Sequence, residues 1–318
     1  MNTKRIWAYL IHLGSNMWAK KGTTWHRNIH PEDFGYKESM YCDKDVWRKV
    51  TDFLPSCGIN TLLIDIGEGI RLDSHPEIAT VGAWTKEEMR EELARIRGLG
   101  LTPIPKFNFS CAHNAWMGEY AYMVGTRAYY GFCKDIIEET IELFDNPEFF
   151  HLGLEEETPS LGHLVNVCRS PEKKALDALY LFDICKAHGV RPWIWLDVEG
   201  FGGWDEFSTK MPKDVLISTW YYDPIHDKAD IYDPQIPKEA HFNIELAKRG
   251  YEQVPATSTW SWHCNAKDTM NFCKKHVPEG SVIGFMTAPW LLTTESRLYG
   301  LYNDAYSFFW ARKDILGE

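Results

Sequence analysis

The stretch Phe149-Phe-His-Leu-Gly-Leu-Glu155-Glu156-Glu157 sets three carboxylates side by side where an apolar run ends. Crowded carboxylates withdrawn from water cannot all ionise freely, and one acid is then held protonated near neutral pH beside a charged neighbour. That pairing is what general acid–base chemistry requires. Asn146-Pro147 upstream and Thr158-Pro159 downstream bound a short strand of aromatic and branched residues around Gly153. Faces alternate along a strand, so Glu155 shares the side of Gly153 and His151, while Glu156 points the other way. Both acids serve one pocket only if the chain curls as the strand ends, which Thr158-Pro159 favours.

Strand-like and helix-like runs alternate from end to end around this stretch. The strands fall at residues 6–13, 59–66, 101–109, 149–155, 191–198, 215–220, 253–259 and 281–287. Amphipathic segments lie between them at 43–54, 86–98, 130–143, 171–188, 238–249 and 266–276, with a short one at 205–210 and a last helix over 295–310. Thr85 with Glu87 and Glu88 resembles a capping box, and Ser170-Pro171-Glu172 sets a cap, a first-turn Pro and an acid in order. Gly98, Gly189 and Gly250 close helices just before the next strand. Runs such as Thr61-Leu-Leu-Ile64 are apolar rather than alternating, as parallel strands covered on both faces are. Eight such units in 318 residues predict one closed (β/α)8 TIM barrel over residues 1–318. Gly67-Glu68-Gly69 lacks the third glycine of a dinucleotide fingerprint, and there is no P-loop.

Catalytic groups of such barrels gather where strands meet the loops that follow them. Those positions hold His12, then Asn16 and Trp18; Asp65 and Glu68; Lys106 and Asn108; Glu155, Glu156 and Glu157; and Asp197 and Glu199. The last three strands lead into Trp220-Tyr221-Tyr222-Asp223, Trp260-Ser261-Trp262-His263 and Thr287 to Trp290. Carboxylates and flat rings on one rim suit a sugar, whose C–H faces stack on aromatics and whose hydroxyls meet acids and amides. Glycosidic cleavage needs an acid to protonate the leaving oxygen and a second group at the anomeric carbon. The binding candidates are therefore His12, Asp65, Asn108, His151, Glu157, Asp197, Trp220, Tyr221, Trp260, Trp262 and Trp290. Trp7, Trp47 and Trp310 are expected in the packing layers.

The formal charge of −11, with no Lys or Arg cluster, argues against nucleic acid or an anionic membrane as partner. No apolar run approaches the ~18 residues of a spanning helix. The apolar residues 6–11 are short, meet His12 and lack a small-residue cleavage site, so they read as the first strand. The chain as written is expected in the cytoplasm, or in the periplasm or outside the cell if a leader has been trimmed. Eight scattered cysteines without a C-x-x-C pair read as reduced and structural. His26 and His30 have metal-ligand spacing, but Pro31 opposes the helix they would need, so no metal or cofactor is expected. Asn108-Phe-Ser is a sequon short enough to arise by chance, and no G-x-S-x-G elbow supports a serine hydrolase. The partner is expected to be a carbohydrate, with the oligomeric state left open.

Three passages resemble the catalytic barrel of glycoside hydrolase family 20, the β-N-acetylhexosaminidases. Gly58-Ile-Asn-Thr-Leu-Leu-Ile-Asp65 is similar to its second strand. Thr85-Lys-Glu-Glu-Met-Arg through Gly100-Leu-Thr-Pro-Ile-Pro105 is similar to its second helix and third strand. His151-Leu-Gly-Leu-Glu155-Glu156 resembles its His-x-Gly-x-Asp-Glu signature, and Leu216-Ile-Ser-Thr-Trp-Tyr-Tyr-Asp223 its sixth strand more weakly. The resemblance implies retention assisted by the substrate: Glu156 as general acid and later base, and Glu155 orienting a 2-acetamido group that attacks the anomeric carbon. Tyr221 or Tyr222 would donate to the acetamido oxygen. The chain departs from the family with Glu rather than Asp at 155, with Pro105-Lys106-Phe107-Asn108 in place of Pro-Glu and a Pro-Gly-His turn, and without the first-strand Arg. Two alternatives stand beside it. Asp223 could serve as nucleophile or base in another glycosidase scheme, decided by a carboxylate separation of about 5–5.5 Å against roughly 6.5–9.5 Å. The barrel could also bind a glycan without cleaving it.

Overall fold

The computed structural model describes residues 5–18, 35–157, 167–225 and 236–318. Eight parallel strands form one sheet: β1 (Ile6–His12), β2 (Thr61–Asp65), β3 (Thr102–Lys106), β4 (Phe149–His151), β5 (Arg191–Trp195), β6 (Leu216–Ser218), β7 (Ala256–Thr257) and β8 (Gly284–Thr287). Spatial order follows the chain, with β1 also paired to β8. The ring closes between β6 and β7, where Val254 N–H donates to the Ile217 carbonyl (2.9 Å) and Ala256 N–H to that of Thr219 (2.8 Å). The helices between and after the strands are α1 (Lys44–Phe53), α2 (Lys86–Gly98), α3 (Arg127–Leu143), α4 (Pro171–Ala187), α5 (Trp204–Lys210), α6 (Lys238–Lys248), α7 (Asn265–His276) and α8 (Leu298–Leu316). This is the (β/α)8 barrel the alternation predicts.

Local signals explain the boundaries. Thr85 and Glu88 complete a reciprocal capping box at the start of α2, and Ser170 Oγ accepts from Lys173 N–H ahead of Pro171 in α4. Thr126 caps α3 three residues earlier than the apolar pattern suggests, by accepting from Tyr129 N–H (3.2 Å). α8 outruns its expected end and stops at Gly317 in the left-handed region. Strands are shorter than expected at their carboxyl ends, most clearly β4, which ends at His151 because left-handed residues begin at Gly153 (φ 72°). All eight cysteines are free thiols. No helix among the described residues is long and apolar enough to cross a membrane.

Inside the barrel Leu10, Leu63, Ile104, Phe149, Trp193 and Leu216 pack into an apolar plug. Each such side chain contributes roughly 1.5–3 kcal/mol by leaving water. Above it the register aligns His12 with Asp65, Asp65 with Lys106, and Lys106 with His151. Partners in register point to the same face, so four strands place one polar layer on top of the plug.

Candidate active site

The rim above β4 curls within three residues. Leu154 (φ 73°) and Glu156 (φ 59°) join Gly153 in the left-handed region, which costs a side-chain-bearing residue roughly 1–2 kcal/mol. A Cβ on Gly153 would stand 2.2 Å from Asn108 Oδ1, so only glycine fits there. Contacts on both sides fix the curl: Ser110 Oγ donates to the Glu155 carbonyl, Cys111 N–H to Glu157 Oε1 (3.0 Å), and Glu157 N–H to Asp197 Oδ2 (3.3 Å). The reversal of the chain needed to bring Glu155 and Glu156 to one pocket thus occurs within residues 153–156. Thr158-Pro159, to which the sequence assigned it, lies outside the described residues.

The three glutamates end in three environments. Glu155 is buried; Asn108 Nδ2 donates to its Oε1 (2.7 Å), and its Oε2 has no partner among the described residues. Burial above all, and the Glu156 charge, raise its carboxyl above the ordinary range against the pull of His113, Lys106 and Asn108. Glu156 is about a third exposed and pairs through Oε2 with His113 Nε2 (2.7 Å). Burial opposes a charge on His113, but its hydrogen bond to Glu156 and both neighbouring carboxylates prevail and raise it. Glu157 turns away from the mouth and is buried against Arg169, which grips both its oxygens. There the burial penalty is overcome by Arg169 and Lys174, and the carboxyl is lowered.

Beneath Glu155, Asp65 Oδ2 meets Lys106 Nζ at 2.7 Å and His12 Nδ1 at 3.3 Å. Lys106 has no solvent exposure. Burial would raise the Asp65 carboxyl, yet Lys106 and His12 hold it well below the usual range. His151 is kept neutral first by burial and then by Lys106. Rings close over this layer in an unbroken series of contacts. Trp290 lies 5.9 Å from His12, 6.5 Å from Trp18, 5.8 Å from Trp195 and 6.4 Å from Tyr222, while Trp195 is 4.8 Å from His151 and Trp220 6.3 Å from Tyr222. Burial, together with the charges of Glu155 and Glu156, raises the Tyr222 phenol.

The structure therefore brings Glu155, Glu156, Tyr222, His12, Asp65, Asn108, His151, Trp220 and Trp290 together and places the other candidates around or behind them. Glu157 and Asp197 belong to an ion network behind the rim, Asp197 accepting from Lys174 Nζ (2.5 Å) and from Gly200 N–H (3.0 Å). Tyr221 packs on the apolar cluster of Ile225, Ile236 and Ile244 beside α6, since alternation turns it away from Trp220 and Tyr222. Asp223 is exposed, its backbone carbonyl accepting from Asn265 Nδ2 (3.4 Å). Trp262 donates from Nε1 to Asp268 (3.0 Å) and lies against the His263 ring at 4.5 Å, tilted by 52°, which holds it at the start of α7. Trp260 is half-buried at the same rim, with its N–H on Ser258 Oγ (3.0 Å). Three members escaped the choice of site candidates: His113, Trp195 and Lys106. Trp195 follows from register, two residues beyond the inward Trp193, whereas His113 lies in a loop with no periodicity to mark it. No cluster of metal-ligating side chains occurs among the described residues, and His26 and His30 lie outside them.

Solved structures with this architecture cover nearly the whole chain. A β-N-acetylhexosaminidase from Bacteroides fragilis NCTC 9343 aligns with a TM-score of 0.62 at 12% identity, over 96% of this chain and 65% of its own. The pneumococcal virulence factor StrH, studied for N-glycan recognition and hydrolysis, aligns at 0.61 and 16% identity over 98% of this chain and 84% of its own. A family 20 exo-β-N-acetylglucosaminidase from Vibrio harveyi, in complex with N-acetylglucosamine, aligns at 0.59 and 13% identity over 98% and 57%. The chain thus spans less than two thirds of the first and third of these proteins. At such identities the likeness is one of fold. No family model and no curated protein matches the chain.

Proposed function

We propose that the chain is a retaining glycoside hydrolase acting on a terminal β-linked N-acetylhexosaminide. The observation that carries this reading is the asymmetry of the adjacent acids: Glu155 buried on Asn108, Glu156 partly open to solvent on His113. Glu156 is the acid that a glycosidic oxygen and a water can reach. It protonates the leaving oxygen and later takes a proton from the water that opens the intermediate. Glu155, facing inward, accepts the N–H of a 2-acetamido group and turns its carbonyl oxygen toward the anomeric carbon. Carbon–oxygen bond formation there expels the aglycone and leaves a cyclic oxazolinium, with Tyr222 donating to the acetamido oxygen. Trp195 and Trp290 supply apolar surface for the acetamido methyl. His113 is a positioning residue that holds the Glu156 carboxylate. The extra methylene of Glu155 relative to Asp is spent in reaching Asn108. The named activities of the fold neighbours support the same reaction class.

Release of nitrophenol from a panel of aryl glycosides, with wild type and Glu156→Gln side by side, tests the reading. Cleavage restricted to N-acetylhexosaminides and lost in the variant is expected. Cleavage of plain glycosides would replace the acetamido route by a carboxylate nucleophile, and inertness towards every aryl and natural glycan offered would overturn the hydrolase.

A further inference from the structure

The last helix turns an aromatic face outward that neither the core nor the mouth uses. On α8, Tyr299 is 83% exposed, Tyr306 51% and Trp310 49%, with Tyr302 and Phe309 half-buried beside them. Trp310, which the sequence places in the packing layers, thus lies half outside them. From Leu298 to Ala311 the one charged residue is Asp304, and it is buried. By contrast α2, in the same outer layer, has eight charged residues among its 13. Loss of charge with gain of Tyr, Trp and Phe marks the core of a protein interface. Tyr299 and Tyr306, like Tyr302 and Phe309, stand seven residues apart, the repeat with which one helix keeps a seam against another.

Ring geometry and area choose the occupant. Tyr306 meets Trp310 at 85° and 5.9 Å, and Phe309 meets Trp310 at 71° and 5.3 Å. A glycan strand stacks on ring faces that share a plane, whereas crossed rings make a ridge that interlocks with side chains. The 19 residues of α8 span about 28 Å, and the helix packs between α7 and α1. Packed helices lie roughly 8–10 Å apart, so the three together make a face of about 800 Å². One partner of a stable dimer buries about that much.

We infer that this face joins two copies of the chain through antiparallel α8 helices, with Tyr306 on the two-fold axis. Residues equally far before and after Tyr306 then meet. Trp310 packs on Tyr302 of the second copy. Lys313, which lies over the Phe309 ring of its own chain at 5.7 Å, reaches the Tyr299 ring of the second copy and closes each end of the seam with a cation–π contact. Strand ends and helix starts share the rim of a barrel, so antiparallel pairing points the two mouths in opposite directions and leaves both open.

Sedimentation velocity of the full chain up to about 100 µM tests the dimer, since interfaces of this size bind at micromolar strength or better. Wild type is expected at twice the 36.9 kDa of one chain. Tyr306→Lys and Tyr306→Glu each set like charges across the axis and should weaken self-association by about 100-fold or more. Mixed in equal amounts they face opposite charges and should dimerise again, which also shows that both are folded. Tyr122→Lys, at an exposed tyrosine on the loop after β3, should dimerise as wild type does. Wild type that stays monomeric at every concentration overturns the second copy and leaves the face to another protein or a glycan. A dimer that survives both Tyr306 substitutions overturns this face, and a mixture that stays monomeric overturns the axis through Tyr306.

Discussion

Glu156 and Glu157 are neighbours in sequence, yet they enter opposite kinds of buried polar cluster. Behind the rim Glu157, Arg169, Asp177, Lys174 and Asp197 make a network in which each charge meets an opposite one: Arg169 bridges Glu157 and Asp177, and Lys174 meets Asp197. At the mouth the inventory does not close. Glu155 Oε2, His12 Nε2, His151 Nε2, His113 Nδ1 and Trp195 Nε1 are all buried without partners among the described residues. Leaving such a group unmet costs about 1–3 kcal/mol. The satisfied cluster holds the curl of residues 153–157 in shape. The unsatisfied one is what that curl presents to a ligand.

If this division is right, Arg169→Met and Glu156→Gln separate stability from activity. Removing one partner from a buried ion pair strands the others, so Arg169→Met is expected to lose about 3–5 kcal/mol in urea unfolding. Glu156→Gln should cut kcat/KM by roughly 10²- to 10⁴-fold and change stability by no more than about 0.5 kcal/mol. A Glu156 variant as unstable as Arg169→Met would erase the distinction.

Asp304 on α8 sharpens the comparison, being hydrogen-bonded yet without a countercharge among the described residues. It accepts from Thr259 N–H (2.8 Å), Thr259 Oγ1 (2.9 Å) and Thr287 Oγ1 (2.6 Å), and burial still pushes its carboxyl up from 3.8 to about 6. A raised folded value means that the favourable protonated state is fully present below pH 3.8 and lost as pH rises through about 6. Over that window wild type should lose up to roughly 3 kcal/mol relative to Asp304→Asn, whose amide has no proton to give up. Parallel stability–pH curves for the two proteins would show that three hydrogen bonds can replace a countercharge.

Much of this was legible because barrels turn sequence period into geometry. Helices closed by Gly98, Gly189 and Gly250 located the strands that follow them, whereas the sequence left Tyr221 and Tyr222 both open as donors, and only the fold sets Tyr221 against the outer apolar cluster. The two clusters were not separable in the same way. Glu157 and Asp197 look in sequence like any rim acid, and nothing local announces Arg169 twelve residues after one or Lys174 twenty-three before the other. His113 reaches Glu156 from a loop 43 residues earlier, a contact set by folding rather than by period. The strand-four motif located the acids. Their division into catalytic and structural members depends on partners brought from elsewhere.

The smallest effect asked of the comparison is also the most specific to it. A residue kept for function at a cost in stability should be replaceable at a gain, and Glu155 is the case to try. Glutamine keeps its shape and still accepts from Asn108 Nδ2, but it removes a carboxylate that burial resists ionising. Because the folded carboxyl lies above its unfolded value, wild type keeps the favourable contribution of the protonated acid at low pH and loses it as pH rises through the raised value. Glu155→Gln should therefore match wild type in acid and exceed it at neutral pH by about 0.5–2 kcal/mol, the usual return from relieving a functional site. The same substitution should abolish acetamido-assisted cleavage, since with its one oxygen on Asn108 the amide presents a donating NH2 to the acetamido N–H and carries no charge to stabilise the oxazolinium. Thermal melts of both proteins at pH 4 and pH 7.5, beside their rates, give the answer. If the variant is less stable at both pH values, Glu155 is a structural acid like Glu157, and the mouth loses its distinction from the network behind it.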